Sequence, residues 1–254
     1  MVELGLEEKY ESDHELVWAK GDYTIELHKR LIPSYNEDYY AYFGDGWKLV
    51  SIIDEETKEC RMSIEDQFIY SFVHYAKHYR DGGIGVKHVT DFYVFMEKNP
   101  NMDFEYIENE LEKLHLLKFW KNTKKVLDVW FNSEEGDELT DFMTAKIFNS
   151  GAYGKVEEKI QADALRTSGS GKNARKRKTL SLIFPSLSDM KLKYKVLKKA
   201  PILLPFMWMV RWIEAIFTPS KVKAQKKRLD MISQEGVNKY QNELEYVGLS
   251  FDFE

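Results

Sequence analysis

Tyr23-Thr24-Ile25-Glu26-Leu27-His28-Lys29-Arg30-Leu31 sets one carboxylate between two apolar residues. Successive side chains of a strand face opposite ways, so Glu26 and His28 share one face while Ile25 and Leu27 anchor the other. His14 to Trp18 is also rich in β-formers, and Lys20-Gly21-Asp22 joins the two runs. A short connection containing Gly between two such runs reads as a β-hairpin. A two-stranded hairpin is marginal in water by itself. The pattern therefore asks for further strands, or a helix, on the apolar face. From spacing alone, Glu26 and His28 are either a metal carboxylate with a polar neighbour near a substrate, or a solvent-facing pair on an edge strand.

The 254 residues suffice for one large domain or two small ones. The hydrophobic content of 43% and charged content of 31% are those of a soluble globular chain, and 14% aromatics point to an aromatic-rich core with helical packing. Cys60 is the single cysteine, which excludes a disulfide framework or a cysteine zinc site within one chain and fits a reducing, cytoplasmic location. No signal peptide is recognisable. The longest apolar run, Ala200 to Val210, has 11 residues and two prolines, too short to span a bilayer of about 30 Å. Charge is strongly segregated. Residues 1–171 carry a net of −14, residues 172–228 carry 16 Lys and Arg against 2 acids, and residues 229–254 carry a net of −5. The basic segment either docks on the acidic body or meets a polyanion, an anionic membrane surface or a phosphate-bearing substrate.

From about residue 36 the pattern turns helical. Ser63 with Ile64-Glu65-Asp66 makes an N-cap and acidic first turn. Ile64, Phe68, Phe72, Ala76 and Tyr79 then line one face. The glycines of Asp81 to Gly85 end that helix. Further helices are predicted over 86–98, 103–115, 116–131 and 138–148. Shorter ones are punctuated by Phe184-Pro185 and Ala200-Pro201, and a long terminal helix runs from Lys221 to Val247, ended by Gly248. The expected class is α+β: an N-terminal β-hairpin belonging to a partial sheet over 1–60, a helical domain over 61–167, a basic linker or mobile loop over 168–178, and a C-terminal helical region over 179–254.

His74 and His78 have the i, i+4 spacing of a two-histidine zinc site, but Tyr75 stands where the catalytic form has Glu. The better reading points Lys77 and His78 at anionic phosphate. The 82–85 turn then brings Lys87 and Asp91 near them, and a helix starting at Gly85 favours an anion. Ser168 to Asn173 is no P-loop, for it lacks the first Gly and the Ser/Thr after Lys172. Gly82-Gly83-Ile84-Gly85 is no dinucleotide fingerprint. The lysines of 191–199 beside Pro201 to Trp208 mark either an interfacial membrane segment or a core helix with solvated lysines. No motif for reading duplex DNA is present.

Taken in order, Ile25 to Leu31, His74-Tyr75-Ala76-Lys77-His78, and Gly83-Ile84-Gly85-Val86-Lys87 with Asp91 resemble an uncharacterised bacterial nucleotidyltransferase family, itself similar to minimal polymerase-β-like enzymes. Leu203-Leu204-Pro205, Trp208 and Arg211 are similar to its C-terminal region, so the resemblance extends over most of the chain. It implies Mg²⁺-dependent transfer of a nucleoside monophosphate from a nucleoside triphosphate to an unknown acceptor. Glu26 would be a metal carboxylate or the base, His28, Lys77, His78 and Lys87 would contact substrate or phosphate, and Asp91 would orient one of them. The family often has Arg at the position of Lys87. In the superfamily a Gly-Ser turn leads to two further acidic ligands, and no Gly-Ser followed by Asp-x-Asp precedes Glu26. The expectation is a truncated product, a site completed by a partner or second chain, or a non-catalytic remnant. The alternative reading is a helical interaction protein whose basic 172–228 region binds a partner, a polyanion or a membrane.

Overall fold

The computed structural model describes residues 2–12, 14–151, 154–168 and 172–251, so residues 169–171 of the expected linker lie outside the described residues. The class is α+β, a small antiparallel sheet followed by many helices. The chain divides into two units: Met1–His74 with Phe95–Leu117, and Tyr75–Val94 with Lys118–Glu254.

The first unit opens with strands β1 (Glu7–Glu11), β2 (Glu15–Lys20) and β3 (Tyr23–His28), in that spatial order. The expected hairpin is β2–β3, paired from Glu15↔His28 to Lys20↔Tyr23. Gly21 turns it at φ 56°, a left-handed conformation that two-residue hairpin turns require and that Gly adopts without steric cost. β1 is the further strand, laid along β2 with an irregularity between Glu8 and Tyr10. The apolar face departs from expectation. Ile25 and Leu27 stay 37% and 41% exposed, because β3 is an edge strand with β2 as its one partner among the described residues.

The region after residue 36 holds a second correction. Helix α1 (Glu37–Phe43) forms as read, but β4 (Val50–Asp54) and β5 (Glu59–Met62) then make a second antiparallel pair. Asp54 Oδ1 accepts the N–H groups of Glu56 (2.8 Å) and Thr57 (3.2 Å), a local turn that competes with helix. Helix α2 (Ile64–Arg80) starts where Ser63 Oγ accepts the Asp66 N–H at 3.0 Å. Its first half lies in the first unit, where Phe68 meets Phe95 of α3 (Val86–Lys98) and Phe104 of α4 (Phe104–Lys113) edge-on at 5.5 and 6.3 Å. Tyr106 donates to Asp66 and Tyr42 to Glu110, closing the rim of this aromatic core.

The second unit holds the rest of α2 and α3, then α5 (Leu117–Phe131), α6 (Glu138–Ser150), α7 (Val156–Ser168), α8 (Ala174–Ile183), α9 (Leu187–Lys193), α10 (Val196–Lys199), α11 (Leu204–Ile216), α12 (Pro219–Asp230) and α13 (Gln234–Val247). The single terminal helix expected over 221–247 is two helices. Ser233 Oγ accepts the Gly236 N–H at 3.0 Å and so starts α13 afresh, and Gly248 ends it. Tyr75 stacks on Phe119 at 5.4 Å and Tyr79 meets the same ring edge-on. Asn122 Nδ2 donates to the Val247 carbonyl at 3.0 Å, which ties α13 to α5.

This interior also holds charge. Lys146 lies 3.1 Å from Glu158 and 2.9 Å from Glu243, under the Tyr240 ring. Arg166 pairs with Asp81, whose carboxyl is pushed up by burial while Arg166, Arg80 and Lys77 oppose the shift. Burial, reinforced by Lys77, His88 and Lys159, pushes His78 down to about 4.

Lys146→Met leaves two glutamates without their shared cation. It lowers unfolding free energy by about 2–3 kcal/mol, below the range for fully enclosed pairs because both glutamates keep some contact with water, read by urea denaturation. His78 has a folded pKa below its unfolded value of 6.5, so the unfolded chain binds the extra proton first. Its contribution is complete above pH of about 6.5 and is lost as pH falls towards about 4. The fall in Tm between these limits is therefore smaller in His78→Gln than in the parent chain.

Candidate functional site

The β2–β3 register decides which side chains meet. Glu15 pairs with His28 and Val17 with Glu26, so Glu15, Glu26 and His28 stand on one face, which they share with the buried Val17 and Ala19. The chain entering β2 is pinned at Ser12, whose Oγ accepts the N–H groups of His14 (3.2 Å) and Glu15 (3.0 Å). Lys29 N–H donates to the His14 carbonyl at 2.8 Å and closes the open end of the hairpin. His14 lies outside the strand alternation, so its ring reaches the same cluster as its neighbour Glu15.

Glu15 Oε2 is 3.5 Å from His14 Nδ1 and 3.7 Å from His28 Nε2, and Glu26 Oε2 is 3.8 Å from His28 Nε2. The two imidazole centroids are 4.4 Å apart. Tyr10 donates to Glu15 Oε1 at 2.6 Å, and its hydroxyl is pushed up to about 12, chiefly by that hydrogen bond. The nitrogen–oxygen separations are longer than hydrogen bonds. They approach the ~3.3–3.4 Å between ligands of a tetrahedral ion with bonds of about 2.0–2.1 Å. His14, Glu15 and His28 each offer a ligand atom, all within 4.8 Å of one another. The Glu15 carboxylate suits Mg²⁺, and the two imidazoles extend the set to Mn²⁺ or Zn²⁺, while Glu26 stands beside this group of three, 3.8 Å from His28 Nε2. The donor chemistry thus fits a divalent cation.

The remaining expected residues belong to the second unit. Lys77 is buried on α2, and His78 is largely enclosed beside it and held neutral. Lys87 and Asp91 are brought together as an exposed i, i+4 ion pair at 2.8 Å on α3, the type of pair worth a few tenths of a kcal/mol. The Gly82–Gly83 turn is packed rather than open: a Cβ on Gly83 would overlap Ser150, and Gly82 accepts the Lys155 N–H at 2.9 Å. His74 and His78 belong to no group of three convergent ligands among the described residues.

Sequence reading missed Glu15, His14 and Tyr10. The signal was present. A two-residue turn at Gly21-Asp22 fixes Lys20 opposite Tyr23, and counting outward sets Glu15 opposite His28. His14 carries no such periodic signal, because its placement depends on the Ser12 turn.

Residues 1–132 match the model of a family described as uncharacterised nucleotidyltransferase, a span that contains both sheets and helices α1–α5. Comparison with curated proteins and with solved structures gives no match. The family match takes in half of the chain, including Glu15, Glu26, His28 and the Lys77–Asp91 segment, and on this ground the chain belongs to the uncharacterised nucleotidyltransferase family.

Proposed function

We propose that this chain takes part in transferring a nucleoside monophosphate from a nucleoside triphosphate to a hydroxyl acceptor, with a divalent cation held on the Glu15–Glu26 face. The observation that carries the reading is the placement of these two carboxylates on one face of adjacent strands, within a family of nucleotidyltransferases. When bound, the cation would supply charge neutralisation on the phosphates. Glu26, the more exposed carboxylate, accepts the acceptor's proton. The acceptor oxygen forms the new bond to the α-phosphorus, the bond between that phosphorus and the bridging oxygen breaks, and pyrophosphate leaves with its electron pair. His28 orients Glu26 from 3.8 Å and offers an imidazole to the phosphate.

Two carboxylates are fewer than the three that the polymerase-β resemblance implies. The proposal therefore includes a further acidic ligand from a partner or second chain. In the second unit by itself, Lys87, held by Asp91 through their ion pair, is proposed as a phosphate contact, whereas Lys77 is buried and His78 is held neutral. The alternative of a non-catalytic interaction module rests on the basic 172–228 segment and makes no use of the Glu15–Glu26 face.

Calorimetric titration with Mg²⁺ and a nucleoside triphosphate tests the reading. The expected outcome is magnesium-dependent binding that weakens at least about tenfold, roughly 1.4 kcal/mol, in Glu26→Gln and in Glu15→Gln. Binding that both variants retain unchanged, or none in the parent chain, contradicts it. Pyrophosphate release with a mixture of candidate acceptors separates a transferase from a nucleotide-binding module.

A further inference from the structure

Helix α11 is amphipathic the wrong way round for a core helix. Its hydrogen-bonding side chains point inward. Arg211 donates to the Leu182 carbonyl at 2.8 Å, Trp212 Nε1 to Ile183 at 2.8 Å, and Trp208 Nε1 to Pro185 at 3.0 Å. These three bonds satisfy carbonyls at the end of α8 and just beyond it, groups that a helix C-terminus leaves without intrahelical partners. Phe184 meets the rings of Trp208 and Trp212 edge-on at 5.2 and 5.3 Å, which fixes α11 against the chain leaving α8. Glu214, the only acid of α11, is taken up by Lys193 and Tyr194.

The opposite side of α11 is apolar and faces water. Phe206, Met209, Ile213 and Ile216 recur at steps of three and four, one stripe on a helix, exposed from 53% at Met209 to 75% at Ile216, and Ile202 in the turn that precedes α11 is 88% exposed. Phe217 extends the stripe at 79%. No residue of α11 is buried. Exposed lysines flank the stripe on both sides: Lys195, Lys198 and Lys199 before it, and Lys221, Lys223 and Lys226 on α12 after it. Beside it, a cavity of about 720 Å³ is walled by Leu182, Ile183, Trp212, Phe217, Val222 and Leu229, with four cationic side chains also lining it.

We propose that α11 and α12 form a docking surface for an anionic lipid bilayer, with the α11 stripe immersed at the headgroup–acyl boundary and the flanking lysines on lipid phosphates. A stripe of bulky apolar and aromatic residues bordered by lysine is the pattern of a helix lying in the membrane interface. Juxtaposed basic residues add attraction to anionic lipids. Protein interfaces are depleted of lysine, so the same border argues against a protein partner. Among the described residues no single helix is long and apolar enough to cross a membrane, and the one helix pair that passes together is bent by 101° between Ile216 and Pro219, a shape that suits lying in the interface. The inference is independent of the nucleotide reading, because none of its residues belongs to the Glu15–Glu26 cluster.

Co-sedimentation of the full chain with vesicles tests it, using pure phosphatidylcholine against phosphatidylcholine with about one-third phosphatidylglycerol. The expected result is at least about tenfold stronger partitioning to the anionic vesicles, falling as salt is raised to about 0.5 M. Phe206→Ser/Ile213→Ser and, separately, Lys223→Glu/Lys226→Glu each reduce partitioning several-fold while the circular dichroism spectrum and Tm stay unchanged, since all four side chains are exposed. Absence of binding to anionic vesicles overturns the proposal, as does binding that neither double variant weakens. A parent chain that is dimeric by light scattering, and monomeric as Phe206→Ser/Ile213→Ser, also overturns it by showing that a second copy covers the stripe.

Discussion

The register of one hairpin governs the proposed chemistry of this protein. Gly21 takes a left-handed conformation, the two-residue turn closes, and Lys20 is thereby set against Tyr23. All else on that face follows by counting. A slip of one residue would carry the β3 side chains to the opposite face and separate Glu26 and His28 from Glu15. A few local choices of residue therefore position two carboxylates and two imidazoles, with no long-range element needed to bring them together.

Much of this was legible in the sequence, and the misses share a cause. Helices α2 to α6 announce themselves by apolar spacing of three and four and by caps such as Ser63 and Asp103, and their bounds fall within about two residues of expectation. The β4–β5 pair lies in the stretch where the pattern turns helical and carries no strand signal of its own, because it is short and its strands lack clean alternation. The Asp54 turn, a side chain capturing two backbone N–H groups, was the better clue. The break between α12 and α13 is a capping event at Ser233 inside an otherwise helical composition. In the site, Glu26 and His28 were visible as an alternating pair, and Glu15 was visible only once register was considered. The burial of Lys77 and the suppressed basicity of His78 depend on tertiary enclosure, which no local pattern encodes.

The charge asymmetry also acquires a structural meaning. Several basic side chains of residues 172–228 are committed within the second unit: Arg175 to Asp230, Lys178 to Asp163, Lys193 to Glu214, and Arg177 to the Ser168 carbonyl. The lysines around α11 and along α12 are instead exposed, and they border an apolar stripe whose own polar side chains are spent on the end of α8. The protein thus combines a carboxylate–imidazole face in its first unit with a basic, apolar-striped surface in its second.

The claim on which the function rests is that the Glu15–Glu26 face holds a divalent cation. Electron paramagnetic resonance of added Mn²⁺ reads this directly, since bound Mn²⁺ loses the sharp six-line signal of the free ion. The account predicts stoichiometric loss of free signal with the parent chain, and its recovery in Glu15→Gln and Glu26→Gln at unchanged Tm. A free-ion signal equally strong with and without the parent chain would contradict it.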